Sequence, residues 1–161
     1  MTSIVNEIKR KVSGTVASEQ AVAAAEQVIG NTFPPDLRSL YLEVSNGGIG
    51  PGHHILGVDG GHLSDEGDTI SELYLSLKEE DPYDPLWVWP EGLVPFCHWG
   101  SAIYSCFDSA KPGNPVVWFD PNQREMGEPM AQQFKPHRDS LESWLRGWLN
   151  GEDLWAEVKG S

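Results

Sequence analysis

The side chains of this chain best placed to do chemistry are carboxylates, and they are bunched. Residues 59–91 carry ten acidic groups and one basic group, Lys78. Asp65, Glu66, Asp68, Glu72, Glu79, Glu80, Asp81 and Asp84 make up most of that run. Such a cluster suits either a hard cation or a basic macromolecule. The stretch from Asp59 to Asp68 has oxygen ligands and flexible glycines. It lacks the alternating Asp/Asn ligands and the terminal Glu of a calcium loop, so no calcium site is expected. As a partner surface, the acids would attract a positively charged protein and speed its encounter. As a solvated face they would confer only solubility. Tyr83, Trp87 and Trp89 border the acids. Large aromatics anchor the centres of interfaces, and they equally fill cores.

The remaining reactive residue types do not assemble by spacing. His53 and His54 are adjacent, and on a strand they would face opposite ways. His62, His98 and His137 are scattered, and Cys97-His98 lacks a second Cys pair or a His-Glu-x-x-His. A zinc site would need distant residues to converge, and none is expected. Cys97 and Cys106 fall within apolar runs, where a free thiol packs as a small hydrophobe. Ser101 is not in a nucleophile elbow. The glycines of Asn46-Gly47-Gly48-Ile49-Gly50 follow a helix pattern instead of leading from a strand into one, the wrong context for phosphate. The expectation is a non-enzymatic protein without a cofactor.

The net charge is −13 over 161 residues. Residues 1–58 have four basic and five acidic groups, and residues 92–161 have six and nine, so most of the excess lies in the middle. A polyanion repels phosphate backbones, which disfavours nucleic acid as a direct partner. No apolar run approaches the ~18–20 residues of a membrane span, and residues 1–12 lack a signal-peptide core. Two cysteines are too few for a disulfide scaffold. These features point to one cytoplasmic domain over residues 1–161.

The elements that must position these residues begin with helices. Thr2 or Ser3 can cap a first helix to about Val12, and Ser18 a second to Ile29, with Ala21, Val22, Ala25, Val28 and Ile29 inward. Phe33-Pro34-Pro35-Asp36 starts a third. Its stripe is Leu37, Leu40, Tyr41 and Val44, and Asn46-Gly47-Gly48 ends it. His54 to Val58 reads as a short strand. Thr69 and Glu72 fit a capping box ahead of Ile70, Leu73, Tyr74 and Leu77. Residues 80–85 read as an exposed loop, and Leu86 to Pro90 as an edge strand or connection. Leu93–Cys97, Ala102–Asp108 and Val116–Asp120 read as antiparallel strands. The first two are joined tightly through His98-Trp99-Gly100-Ser101. Met130 to Phe134 adds a strand or an irregular crossing. Asp139 caps a last helix bearing Leu141, Trp144, Leu145, Trp148 and Leu149, and Leu154-Trp155 tucks back. Helices, then strands, then a helix make an α+β fold with a twisted, mainly antiparallel sheet.

The order of these signals resembles the SUKH superfamily, which includes fungal Smi/Knr-type cell-wall regulators and many bacterial immunity proteins. Phe33-Pro34, the apolar helix, Asn46-Gly47-Gly48, Gly50-Pro51 and the following apolar stretch are similar to its opening. Leu93-Val94-Pro95-Phe96, Tyr104 to Asp108, Pro115 to Asp120 and Phe134 to Leu149 resemble its strands and terminal helix. The resemblance covers roughly residues 18–149 and implies the same α+β architecture. It further implies an immunity protein that binds a cognate toxin, often a nuclease, and occludes it. A basic toxin would suit the acidic segment, with Asp65, Glu66, Asp68, Glu72, Glu79, Glu80, Asp81 and Asp84 as rim and Tyr83, Trp87 and Trp89 as anchors. The alternative is an intracellular regulatory scaffold of the Smi/Knr type.

Overall fold

The computed structural model describes residues 3–159. Three helices come first: α1 (Ser3–Lys11), α2 (Glu19–Ile29) and α3 (Pro35–Glu43). The cap proposed at Thr2 lies outside the described residues. Ser18 caps α2 by accepting from Ala21 N at 3.1 Å. Val28 is exposed instead of inward. In α3, Pro35 occupies the first turn and Leu37, Leu40, Tyr41 and the following Val44 are buried. Burying each such side chain is worth roughly 1.5–3 kcal/mol before entropy is counted.

After a long loop comes α4 (Ile70–Lys78), then β1 (Leu93–Gly100), β2 (Ile103–Asp108), β3 (Val116–Phe119), β4 (Phe134–Arg138), α5 (Leu141–Leu149) and α6 (Leu154–Lys159). The four strands form one antiparallel sheet in the order β1-β2-β3-β4. The α+β expectation is therefore met. No described helix is long and apolar enough to cross a membrane.

Several boundaries differ from the sequence reading, each for a local reason. His98 to Gly100 belong to β1, and the turn is only Ser101-Ala102, with φ of 53° and 59°. That is the left-handed pair a two-residue hairpin requires. His54 also has positive φ, 78°, so the 54–58 segment is no regular strand. It meets β1 at an isolated bridge, Ile55 to Cys97, flanked by main-chain bonds from Leu56 N to Phe96 O and from His53 N to His98 O. Leu86 to Pro90 is a connection. Residues 131–133 form a 3-10 turn, and the stretch from Phe134 starts as strand β4, not as the terminal helix. Lys135 and Pro136 on this edge strand are residue types that resist further pairing. Ser140, not Asp139, caps α5, accepting from Ser143 N at 3.0 Å.

The register explains the aromatic core. Tyr104 opposes Phe119, and Phe119 opposes Phe134, so the three rings ladder across β2, β3 and β4. Trp89 lies edge-on to Phe119 at 4.9 Å and to Phe134 at 5.4 Å. Trp118 packs against Trp99 and, from α6, Trp155. Trp144 of α5 meets Phe96 at 4.8 Å.

One polar clamp sets the loop between α3 and α4. Asn46 is buried. Its Oδ1 accepts from Val58 N at 2.8 Å and its Nδ2 donates to Asp59 O at 3.1 Å. Its own carbonyl accepts from His62 N at 3.0 Å. A Cβ on Gly61 would lie 2.3 Å from Asn46 Cγ, so only glycine fits. The Asn-Gly-Gly signal thus does more than stop a helix: it fixes the path of residues 53–68.

Candidate functional site

The acidic segment divides at α4. This helix has nine residues, a rise of roughly 13 Å at ~1.5 Å per residue. Asp65, Glu66, Asp68 and Glu72 lie before it or in its first turn, and Glu79, Glu80, Asp81 and Asp84 lie beyond its last.

At the first end two carboxylates, those of Glu72 and Asp65, are bonded within the protein. Glu72 completes the capping box: Thr69 N donates to Glu72 Oε1 at 2.9 Å and Glu72 N donates to Thr69 Oγ1 at 3.3 Å. The backbone donor holds the Glu72 carboxyl below its usual range. Burial, then Glu72 and Glu66, push Asp68 up. Asp65 reaches His53 Nδ1 at 3.0 and 3.1 Å, and its Oδ1 is 3.6 Å from His98 Nδ1. The histidines left scattered by sequence therefore converge in part. His98 is buried, and burial pushes its pKa down, which favours the neutral ring. His53, Asp65 and His98 are the one described group of three whose ligand atoms all lie within 4.8 Å of one another.

At the other end the chain opens a cleft of about 710 Å³. Glu79, Glu80, Asp81, Tyr83, Trp87, Arg124 and Met126 are among the residues that line it. Trp87 Nε1 donates to Leu77 O at 2.8 Å and so satisfies a carbonyl that the end of α4 leaves without a helical partner. Asp84 is buried in a two-pronged pair with Arg124, at 2.6 and 2.8 Å, and accepts from Gly127 N at 3.1 Å. The Arg124 guanidinium holds its carboxyl below the usual range. The same guanidinium lies 5.5 Å from the Trp87 ring centre. Among the described residues, no basic side chain lies within ion-pair distance of Glu79, Glu80 or Asp81. Tyr83 is 82% exposed, and Val88 and Met126 are each 69% exposed.

The expected partner-facing residues thus occupy different settings. Glu79, Glu80, Asp81 and Tyr83 share the cleft and are exposed. Asp65, Glu66 and Glu72 are exposed at the far end of α4, and Asp68 is partly buried there. Trp87 is half-buried and lines the cleft. Asp84 and Trp89 are buried and offer little surface of their own: Asp84 braces the cleft wall, and Trp89 belongs to the aromatic core. Arg124 and Met126 were not anticipated; Arg124 is 40 positions from Asp84, and no local pattern links the two. Cys97 and Cys106 are buried, and burial pushes both thiols up, away from nucleophilic thiolate.

The sequence model of the SMI1/KNR4 family (SUKH-1) matches residues 16–147 of the 161. The chain belongs to this family. The matched span nearly coincides with the stretch singled out by its motifs, and both ends of α4 lie inside it. No curated protein gives a significant sequence match. In this SUKH-1 chain, α6 lies beyond the matched span, and its Trp155 and Val158 close the Trp118 face.

Proposed function

We propose that this SUKH-1 protein is a non-enzymatic, cytoplasmic immunity protein that binds a basic cognate toxin and blocks it by occlusion. One observation carries the reading: Glu79, Glu80 and Asp81, without ion-pair partners among the described residues, stand beside the 82% exposed Tyr83 on an open cleft. A charged rim around an aromatic centre is the arrangement that steers and then holds a partner. Acids directly after a helix are also disfavoured by its dipole, so their position favours a role other than stability. A nuclease, whose substrate is polyanionic, is the toxin class that best fits an acidic inhibitor. Occlusion requires no bond-making by this chain.

The test is co-expression with any toxin-domain protein that a neighbouring gene encodes. Protection by the wild-type chain, lost on reversing Glu79, Glu80 and Asp81 to Lys, supports both the function and the surface. Killing that proceeds equally with and without the wild-type chain removes the immunity reading. Family membership also favours a second reading, a regulatory scaffold of the Smi/Knr type. Recovery of a host regulatory protein instead of a toxin, through the same cleft, would select it.

A further inference from the structure

We infer that His53, Asp65 and His98 bind one divalent ion of the zinc class. The three come from separate stretches but are held by main-chain bonds. His53 N donates to His98 O at 2.7 Å, and His98 N donates to His54 O at 3.2 Å, so the two imidazoles are neighbours across a short ladder. Asp65 stands on a tight turn: Ser64 N donates to Asp68 O at 2.8 Å and Gly67 N to Ser64 O at 2.9 Å. Gly100 lets the His53 ring come close, since a Cβ there would sit 3.0 Å from His53 Cε1. Asp65 N donates to His98 Nδ1 at 3.3 Å, so the lone pair of this buried ring is on the side of the cluster.

The spacing fits a metal. Bonds of ~2.0–2.1 Å in a tetrahedron put ligand atoms roughly 3.3 Å apart. Here His53 Nδ1 is 3.0 Å from Asp65 Oδ2, and Asp65 Oδ1 is 3.6 Å from His98 Nδ1. An ion would replace the proton that His53 Nδ1 shares with Asp65 and would take the His98 Nδ1 lone pair from the Asp65 N–H. Two imidazoles and a carboxylate select zinc or a neighbouring first-row ion over calcium or magnesium. Glu66 adds negative potential at His98. His53 and Asp65 are about half exposed, with side-chain exposures of 52% and 48%, which leaves the remaining coordination position open to water or another ligand. His54 and His62 do not belong to this group of mutually close ligand atoms; His54 Nδ1 bonds Gly50 O at 2.7 Å and His62 Nε2 bonds His53 O at 2.8 Å.

The experiment is calorimetric titration of tag-free, chelator-treated protein with zinc chloride, alongside the visible spectrum of a Co²⁺ adduct. The expected result is one saturable equivalent per chain. It should weaken at least about tenfold in His53→Ala and in Asp65→Asn, since even outer-shell changes at metal sites cost that much. The Co²⁺ d–d bands should disappear in both variants. His54→Asn, which tolerates the left-handed backbone there, should bind as the wild type does. His53 and Asp65 are partly exposed, so both variants are expected to fold, and unchanged melting in chelator checks this. No saturable equivalent, or equal affinity in the His53 and Asp65 variants, overturns the site.

Discussion

The two ends of α4 carry acids at similar density and place them in different electrostatic settings. At the first end, Glu72 bonds the Thr69 backbone and the Asp65 carboxylate bonds the His53 ring. After it, Glu79, Glu80 and Asp81 have no cation in reach among the described residues, while Asp84 turns inward to Arg124. Helix electrostatics runs the same way: carboxylates near an N-terminus are stabilised and those at a C-terminus are not. A run of negative charge in a sequence is therefore not one feature. Its meaning changes with the direction of the helix it flanks and with what the fold brings opposite each carboxylate.

The sharpest contrast lies among the aromatics at the second end. Trp89→Ala should cost about 3–5 kcal/mol of folding stability, because the indole fills the space against Phe119 and Phe134. Tyr83→Ala should change stability by no more than about 0.5 kcal/mol while weakening partner binding. Denaturant titration of both variants checks this. Equal losses would mean that the cleft aromatics form one structural unit and that Tyr83 is no free anchor.

Arg124→Gln comes next, since it leaves a buried carboxylate without its two-pronged donor. Lower melting temperature is expected at neutral pH. Asp84 has a folded pKa below its unfolded one. Its contribution is thus fully present above the ordinary carboxylate range and is lost as pH falls through the folded value. The gap between wild type and variant should accordingly narrow in acid. A gap independent of pH would assign the loss to the Trp87 contact instead of the charge pair.

Charge reversal separates the two ends in function. Lys at 79, 80 and 81 should slow association with a basic partner by at least about tenfold at low salt and flatten its salt dependence. The single change Glu66→Lys at the other end should do much less. Stopped-flow association at several ionic strengths reads both; equal slowing would mean that the whole segment acts as one diffuse field.

Much of this was legible locally. The capping box, the Pro-Pro helix start and the strand pairs rest on neighbours a few residues apart, and the structure keeps them. β4 was missed because Phe134-Lys135-Pro136-His137-Arg138 has no apolar alternation; its strand character comes from pairing with β3. The His53-Asp65-His98 cluster was missed because it depends on the Asn46 clamp and on a backbone turn at His54 that the strand reading overlooked. Asp84 looked like the other acids since nothing near it announces Arg124. The local grammar of helices and hairpins was readable, whereas the fate of each charge was decided by residues far along the chain.

At the first end, Thr69→Ala removes a cap worth about 1 kcal/mol, and the melting temperature should fall accordingly. A fall restricted to α4, seen as faster amide exchange in residues 70–73, would show that the cap acts locally; unchanged exchange there would mean the end is held by packing of Ile70 and Leu73 alone.

The smallest effect is the one that most directly separates the ends. Glu79→Gln and Glu80→Gln keep size and hydrogen bonding and remove charge from the unfavourable pole of α4. Each should raise stability by about 0.3–1 kcal/mol at low ionic strength, with the gain shrinking as salt is added. Glu72→Gln, at the favourable pole, should lower it. Opposite signs from the same chemical change, on either side of one nine-residue helix, require that the acids after α4 are kept against a local electrostatic cost. If thermal melts instead show the 79 and 80 variants destabilised, those carboxylates have an intramolecular role, and the case for an outward-facing rim loses its physical basis.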